Sequence, residues 1–307
     1  MTTWTTSDIP AQTGKLAIVT GSTGGLGYQI ALALAKAGAE VVLAARDVDK
    51  GQQALNDIAT ACSGAKVRFE LLDLASVASV AHFAGRIHAA GRRLDLLVNN
   101  AGVMALPDRK VSADNLELQF ATNHLGHFAL TARLLPLLRG NHGARVVSMS
   151  SLAHRQGHID FGDLQSTRAY HPWKAYSQSK LANLLFTREL QRRSDAAEWG
   201  LLSNAAHPGS SRTDLVANGP GKASSVLMRL ATLLEPLMSQ SAADGALPAL
   251  YAATSPAAAA GAYYGPDGFY EMKGPPSLAK IASQGLDPAA AVRLWDCSNE
   301  LTGVSWD

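Results

Sequence analysis

The stretch Thr20-Gly-Ser-Thr-Gly-Gly-Leu-Gly27 decides how this sequence folds. It is entered from Leu16-Ala-Ile-Val-Thr20, a short apolar run that reads as a buried strand. It leads into Tyr28–Ala37, a helical pattern stopped at Gly38. Strand, glycine-rich turn and helix in that order make a seat for a pyrophosphate. Gly21, Gly25 and Gly27 allow a tight turn with backbone close to the anion, and the helix aims its free amides and partial positive charge at it. A plain turn between strand and helix is the bland alternative. A glycine cluster alone would not exclude it; the flanking strand and helix weigh against it.

Working outward, short β-rich runs alternate with longer helical patterns. Strands are expected at Val41–Ala44, Val67–Leu72, Leu94–Asn99, Arg145–Ser150, Leu202–Ala206 and Gly261–Tyr264. Helices are expected over 49–61, 76–90, 112–139, 175–194 and 241–254, with a late one near Pro288–Leu301. Such alternation favours parallel strands joined by right-handed crossovers. The expected fold class is therefore α/β: one Rossmann-like, doubly wound parallel sheet of about seven strands with helices on both faces. No repeat or interdomain linker divides residues 1–307, so a single domain is expected. It carries a substrate-loop insertion at 210–240 and a C-terminal extension at 266–307. The insertion holds Gly219, Pro220 and Gly221 before an amphipathic stretch, Ser224–Met238, which reads as a lid over the site, the competing reading being a fixed helix buried against a second subunit.

Composition narrows the class. The chain has 307 residues, 47% hydrophobic and 17% charged, with a net charge of +2. That is an ordered globular composition with no electrostatic reason to bind nucleic acid or an anionic membrane. The Ala246–Tyr264 stretch is broken by Pro248 and Pro256 and falls short of an integral membrane segment. Cys62 and Cys297 form neither a disulfide framework nor a metal cluster, and no secretory signal opens the chain, so a cytoplasmic setting is expected.

The end of the second strand speaks to the cofactor. A site for NAD usually places an acid there, on the ribose 2′-hydroxyl. This sequence has Leu43-Ala44-Ala45-Arg46-Asp47, with an alanine where the acid would stand and a guanidinium next to it. That suits a 2′-phosphate, hence NADP(H). The competing reading pairs Arg46 with Asp47 or Asp49 at the surface.

Tyr176-Ser-Gln-Ser-Lys180 carries the chemistry. A helix puts residues four apart on one face. A lysine ammonium beside a phenol favours the phenolate and lowers a pKa that starts near ~10, preparing an acid/base for an alcohol or carbonyl. The spacing is common by chance; Ser150-Ser151 at a strand end, Asn123 and the glycine turn give it weight.

At this point the sequence resembles the short-chain dehydrogenase/reductase family. The matches run in order: the Thr20–Gly27 turn, Asp73-Leu74, Asn99-Asn-Ala-Gly102, Asn123, Ser151, Tyr176 with Lys180, and Pro208-Gly209 with Thr213. It is most similar to the retinol-dehydrogenase-like branch, which includes proteins related to protochlorophyllide reductase. That likeness rests on Thr122-Asn-His-Leu-Gly-His-Phe128, Ser150-Ser-Leu-Ala-His154, Ala175-Tyr-Ser-Gln-Ser-Lys-Leu-Ala-Asn183 and His207-Pro-Gly209. The resemblance implies a role for each residue. Tyr176 is the general acid in reduction and base in oxidation, Lys180 tunes it and holds the nicotinamide ribose, and Ser151 bonds the substrate oxygen. Asn123 holds a relay water beside Lys180. Gly21, Ser22, Thr23, Gly25, Leu26, Gly27, Arg46, Asp73, Leu74, Asn99, Ala101, Gly102, Pro208, Gly209 and Thr213 contact the cofactor.

Ser151 and Tyr176 are 25 positions apart, more than in many members of that family. The added segment, His158–Trp173, is expected at the pocket rim. It also alters helix surfaces used in common assemblies, leaving homodimer and homotetramer open. His124 and His127 are three apart on a helix without a third ligand, so helix packing is the better reading than metal binding. The function that follows is interconversion of an alcohol and a carbonyl on an apolar small-molecule substrate. Reduction of a conjugated carbon–carbon double bond is the alternative within enzymes. A non-catalytic NADP-binding sensor is the alternative outside them.

Overall fold

A computed structural model describes residues 3–141, 143–210 and 240–306. Thr213 and the expected lid helix Ser224–Met238 lie outside the described residues.

The strands are β1 (Leu16–Thr20), β2 (Glu40–Ala45), β3 (Val67–Leu71), β4 (Leu96–Asn99), β5 (Arg145–Met149), β6 (Leu202–Ala206), β7 (Tyr263–Pro266) and β8 (Pro276–Leu278). They form one sheet in the order β3-β2-β1-β4-β5-β6-β7-β8. Every neighbouring pair among the first seven is parallel. The eighth strand was not expected and runs antiparallel to β7. It is three residues long and begins at proline, so it has no alternation to read and is tolerated only as an edge.

The helices are α1 (Gly25–Lys36), α2 (Val48–Ala61), α3 (Val77–Ala89), α4 (Leu118–Phe120), α5 (Gly126–Leu138), α6 (Pro172–Ala196), α7 (Ala242–Thr254) and α8 (Pro288–Thr302). Strand side chains alternate, and the two cores follow from that. Leu16 and Ile18 of β1 pack in a core with Phe83 of α3, Phe128 of α5, Phe186 of α6 and Trp295 of α8. Ala17 and Val19 pack on the other face with Ile30 of α1, Ile58 of α2 and Leu250 of α7. Helices on both faces of a mainly parallel sheet make this a doubly wound α/β fold. Among the described residues, no helix is long and apolar enough to cross a membrane.

Two boundaries differ from the sequence reading in ways that matter for the site. The helix expected from residue 112 begins at Leu118, after an isolated antiparallel bridge between Val111 and Glu117. Glu117 ends that bridge by capping the helix: its carboxylate accepts from the N–H groups of Gln119 and Phe120 at 3.0 and 2.7 Å. Between α4 and α5 the chain makes a π turn, Ala121–Leu125, which contains Asn123. Helix α6, which carries Tyr176 and Lys180, starts at Pro172, where a missing N–H costs nothing in a first turn.

The C-terminal extension is integral to the fold. Trp295 of α8 stacks on Phe186 of α6 at 5.9 Å between centroids and meets Phe128 edge-on at 5.0 Å.

Candidate active site

In an open α/β sheet, ligands sit beyond the carboxyl ends of the strands, where strand order reverses. Here the order reverses between β1 and β4, and a cavity of about 750 Å³ opens there. Its wall takes residues from the ends of six strands, including Gly21, Ala45, Leu72, Asn100, Met149 and Pro208.

The glycine turn forms the floor. Gly21 has φ +65° and Gly25 φ +52°, both in the left-handed region that side chains disfavour. A Cβ at Gly27 would stand 2.3 Å from the Gly21 carbonyl oxygen, so only glycine lets α1 start this close to the turn. Thr20 and Asn100 brace the bend. Thr20 Oγ1 accepts from the N–H groups of Asn100 and Ala101 at 2.9 and 3.0 Å, and Asn100 Nδ2 donates to the Thr20 carbonyl at 2.8 Å.

These residues fit a dinucleotide. Thr23, Gly25, Leu26, Gly27, Asp73, Leu74, Ala101 and Gly102 all line the cavity. At the β2 end Ala45 and Arg46 line it too. Arg46 is exposed and, among the described residues, forms no ion pair. Asp47, one of the two surface partners considered with Asp49, is instead the N-cap of α2, accepting from Lys50 N–H at 3.0 Å. Lys50 adds a second cation to the same wall.

The opposite wall carries the acid/base candidates. One turn of α6 brings Tyr176 and Lys180 into the cavity beside Ser150. Both side chains are buried. Burial pushes the Tyr176 phenol above its ordinary pKa, opposed by a hydrogen bond with the Ser151 hydroxyl. Burial also pulls the Lys180 ammonium down, to about 8. The lysine nitrogen stands 5.7 Å from the centroid of the tyrosine ring and donates to the Met149 carbonyl at 3.1 Å. The sequence reading had lysine lowering the tyrosine pKa. In this structure the phenol stands above its ordinary value because it is buried.

Ser151, two residues beyond β5, caps a single 3₁₀ turn, Leu152–Gln156, accepting from Ala153 N–H at 3.2 Å. The Ser150 hydroxyl turns the other way, donating to the Lys180 carbonyl at 2.8 Å. Asn123 acts as a clamp. Its Oδ1 accepts from Val103 N–H at 2.8 Å, and its Nδ2 donates to the Val103 carbonyl and to Ser179 Oγ, both at 2.9 Å. A Cβ at Gly102 would lie 3.0 Å from Asn123 Oδ1 and 3.5 Å from Lys180 Nζ, so glycine keeps that corner open.

Three expected cofactor residues stand off the wall. Asn99 is buried within β4, and its Nδ2 donates to Thr131 Oγ1 at 3.1 Å; Asn100 takes the place on the cavity. The side chain of a central strand residue enters a core layer, while its neighbour beyond the strand end is free to face the ligand. Ser22 is buried beneath the turn. Gly209 lies just past Pro208 with φ +61°, its N–H donated to His207 Nδ1 at 3.2 Å. Sequence reasoning also passed over Asn100 and Ser150 as site residues, although both sat inside motifs it had quoted. The 158–173 segment meets the site at Trp173, whose indole stands edge-on to the Tyr176 ring at 6.0 Å. Tyr170 supports the wall residue Leu106 by donating to its carbonyl at 2.8 Å. His124 and His127 are both buried helix-packing residues with hydrogen-bonded rings.

Fold, turn and tyrosine–lysine helix together agree with the sequence comparisons. The short chain dehydrogenase profile matches residues 15–222. This chain belongs to the short-chain dehydrogenase family. Within it, the chain falls in the retinol-dehydrogenase-like branch. It is 38% identical to mouse (Mus musculus) retinol dehydrogenase 11 over 298 residues, 96% of this chain and 88% of that protein. It is 47% identical to human (Homo sapiens) retinol dehydrogenase 13 over 203 residues, 66% of this chain and 60% of that protein. The latter match thus spans less than two thirds of the human protein. Among solved structures, a Mycobacterium paratuberculosis protein superposes with a TM-score of 0.82 at 37% identity, covering 100% of both chains.

Proposed function

We propose that this protein is an NADP(H)-dependent oxidoreductase that interconverts an alcohol and a carbonyl on an apolar small molecule, with Tyr176 as the acid/base. The observation that carries the reading is that one cavity is lined by the glycine turn, Arg46, Tyr176 and Lys180. The nicotinamide supplies or accepts the hydride.

The chain's own residues do the rest. The turn from Gly21 to Gly27 receives the pyrophosphate, and Arg46 with Lys50 takes the 2′-phosphate. Thr213 remains assigned to the nicotinamide side, and Asp73 to the adenosine side. In reduction, the Ser151 hydroxyl holds the substrate oxygen and Tyr176 gives its phenolic proton to the oxygen as negative charge develops there. A protonated phenol is the form this direction needs, and an ordinary phenol is protonated at neutral pH. The Lys180 ammonium then stabilises the phenolate left behind and holds the ribose hydroxyls. Asn123 holds a water that links Lys180 to solvent, so that a proton can return to Tyr176. In oxidation the same groups run in reverse, with the tyrosine oxygen as base.

Apolar substrates are favoured by Val103, Met104 and Leu106 on the wall and by kinship with proteins named retinol dehydrogenases. The test is NADPH consumption against a panel of apolar aldehydes and ketones, conjugated enones and no substrate. Turnover of the saturated carbonyls is expected. Turnover of enones with loss of the double bond only, or tight NADPH binding with no turnover of any compound, would overturn it.

A further inference from the structure

His127 lies on the first turn of α5, buried between the glycine turn and the catalytic helix. Its Nε2 is 2.8 Å from Thr20 Oγ1, on the last residue of β1 before Gly21. Its Nδ1 is 3.0 Å from the main-chain oxygen of Asn123, inside the π turn. A carbonyl oxygen can only accept, so Nδ1 carries the ring proton. Burial pulls the His127 pKa down to about 3; the ring is therefore neutral and Nε2 is an acceptor. The Thr20 hydroxyl must donate to that nitrogen at 2.8 Å, in preference to the Val98 carbonyl at 3.3 Å.

Both ends of this bridge lead to the site. Behind Thr20, the same hydroxyl oxygen gathers the Asn100 and Ala101 amides, and Ala101 lines the cavity. Beyond Asn123, its Nδ2 donates to Ser179 Oγ at 2.9 Å, and Ser179 Oγ donates to the Tyr176 carbonyl at 2.7 Å. Hydrogen bonds and the short span of Asn123 thus connect the last residue of β1 to the backbone of the catalytic tyrosine. The connection passes through the π turn, a kind of turn that interrupts the regular helical ladder and recurs at functional sites.

We propose that His127 is a positioning residue that couples the glycine turn to the Tyr176–Lys180 helix through two separable arms, Nε2 to Thr20 and Nδ1 to Asn123. The proposal rests on the reading of Tyr176 as acid/base and of the turn as the dinucleotide seat. The Nε2 arm sets the turn and hence dinucleotide affinity. The Nδ1 arm sets the π turn and hence the placement of the tyrosine.

Two substitutions cut one arm each. His127→Asn keeps a donor near the Nδ1 position and has nothing that reaches Thr20. It is expected to raise the NADPH Kd about tenfold, with the smaller effect on kcat. His127→Gln carries its amide out towards the Nε2 position and leaves the Asn123 oxygen without its donor. It is expected to lower kcat about tenfold, with the smaller effect on Kd. Thr20→Val removes the hydroxyl from the other side and must weaken NADPH at least as much as His127→Asn. NADPH affinity is read by nucleotide fluorescence, independently of turnover. Equal losses of affinity and rate in both histidine variants would overturn the proposal. So would a lowered unfolding temperature with affinity and rate unchanged, because a residue that only fills space gives that result. Tyr176→Phe, measured alongside, separates the two claims. If it keeps its rate, the acid/base reading fails; if it loses its rate and the histidine arms do not separate, only the coupling fails.

Discussion

Arg155 Nη2 donates to Glu271 Oε2 at 2.6 Å, joining the turn after Ser151 to the C-terminal extension. The same carboxylate meets His207 Nε2 at 3.2 Å, just before Pro208, and accepts from Lys280 N–H at 3.0 Å through its other oxygen. Burial alone would push this carboxyl up; the hydrogen bonds from His207 and Lys280 and the charge of Arg155 bring it below the ordinary range. Glu271 itself has φ +59°, a conformation a glutamate adopts only when its surroundings hold it there. The tail thereby closes around two segments of the site.

Glu271→Gln is expected to lower stability by about 1–3 kcal/mol and to reduce turnover by loosening the Ser151 turn. Because the folded carboxyl pKa is depressed, the charge contributes stability above the unfolded pKa and loses it as pH falls through the folded one. Urea unfolding should therefore show the wild type and variant converging in acid. Equal differences at neutral and acid pH would contradict the ionic role.

On the proposed reading, in which the Arg46 guanidinium meets the 2′-phosphate, Arg46→Ala should weaken NADPH by about 10- to 100-fold and leave NADH nearly unchanged. Lys50→Ala should show the same selectivity with a smaller loss, since Lys50 also lies 3.9 Å from Asp47. Titration of both nucleotides by fluorescence checks this. Equal affinity of the wild type for the two would remove the assignment.

Lys180, drawn down to about 8 by burial, gives a pH signature. It must be charged to hold the ribose and the phenolate, so kcat/KM for NADPH should fall as pH rises through about 8. For stability the sign is opposite. The folded protein binds fewer protons here than the unfolded chain, so the penalty of burying the ammonium shrinks as pH rises from about 8 toward the unfolded lysine value. Lys180→Arg should carry the descending limb of the activity profile upward, if it turns over at all. A wild-type profile that stays level well past that pH would contradict the role.

Much of this was legible in the sequence because its signals are local. A strand, a glycine turn and a helix read in one pass, and Tyr176 with Lys180 needs only helical spacing. The parts that were not legible depend on contacts far apart in the chain. Asn99 and Asn100 are adjacent and chemically identical; only the end of β4 decides that one enters the core and the other faces the cavity. The late start at Leu118 follows from the Glu117 carboxylate folding back on two amides. Glu271 reaches Arg155 across 116 positions, and no pattern within the tail announces it. The burial of Tyr176 and Lys180 was not legible for a related reason. Spacing puts a cation near the phenol and says nothing of how deeply both are buried.

The most direct test is Tyr176→Phe, which removes one hydroxyl and leaves the ring that Trp173 packs against. NADPH affinity and the rate of carbonyl reduction should be measured on the same preparation. The account predicts a rate lowered by at least about 10²-fold, with NADPH affinity close to that of the wild type. A variant that binds NADPH and still reduces the carbonyl at near the wild-type rate would contradict it.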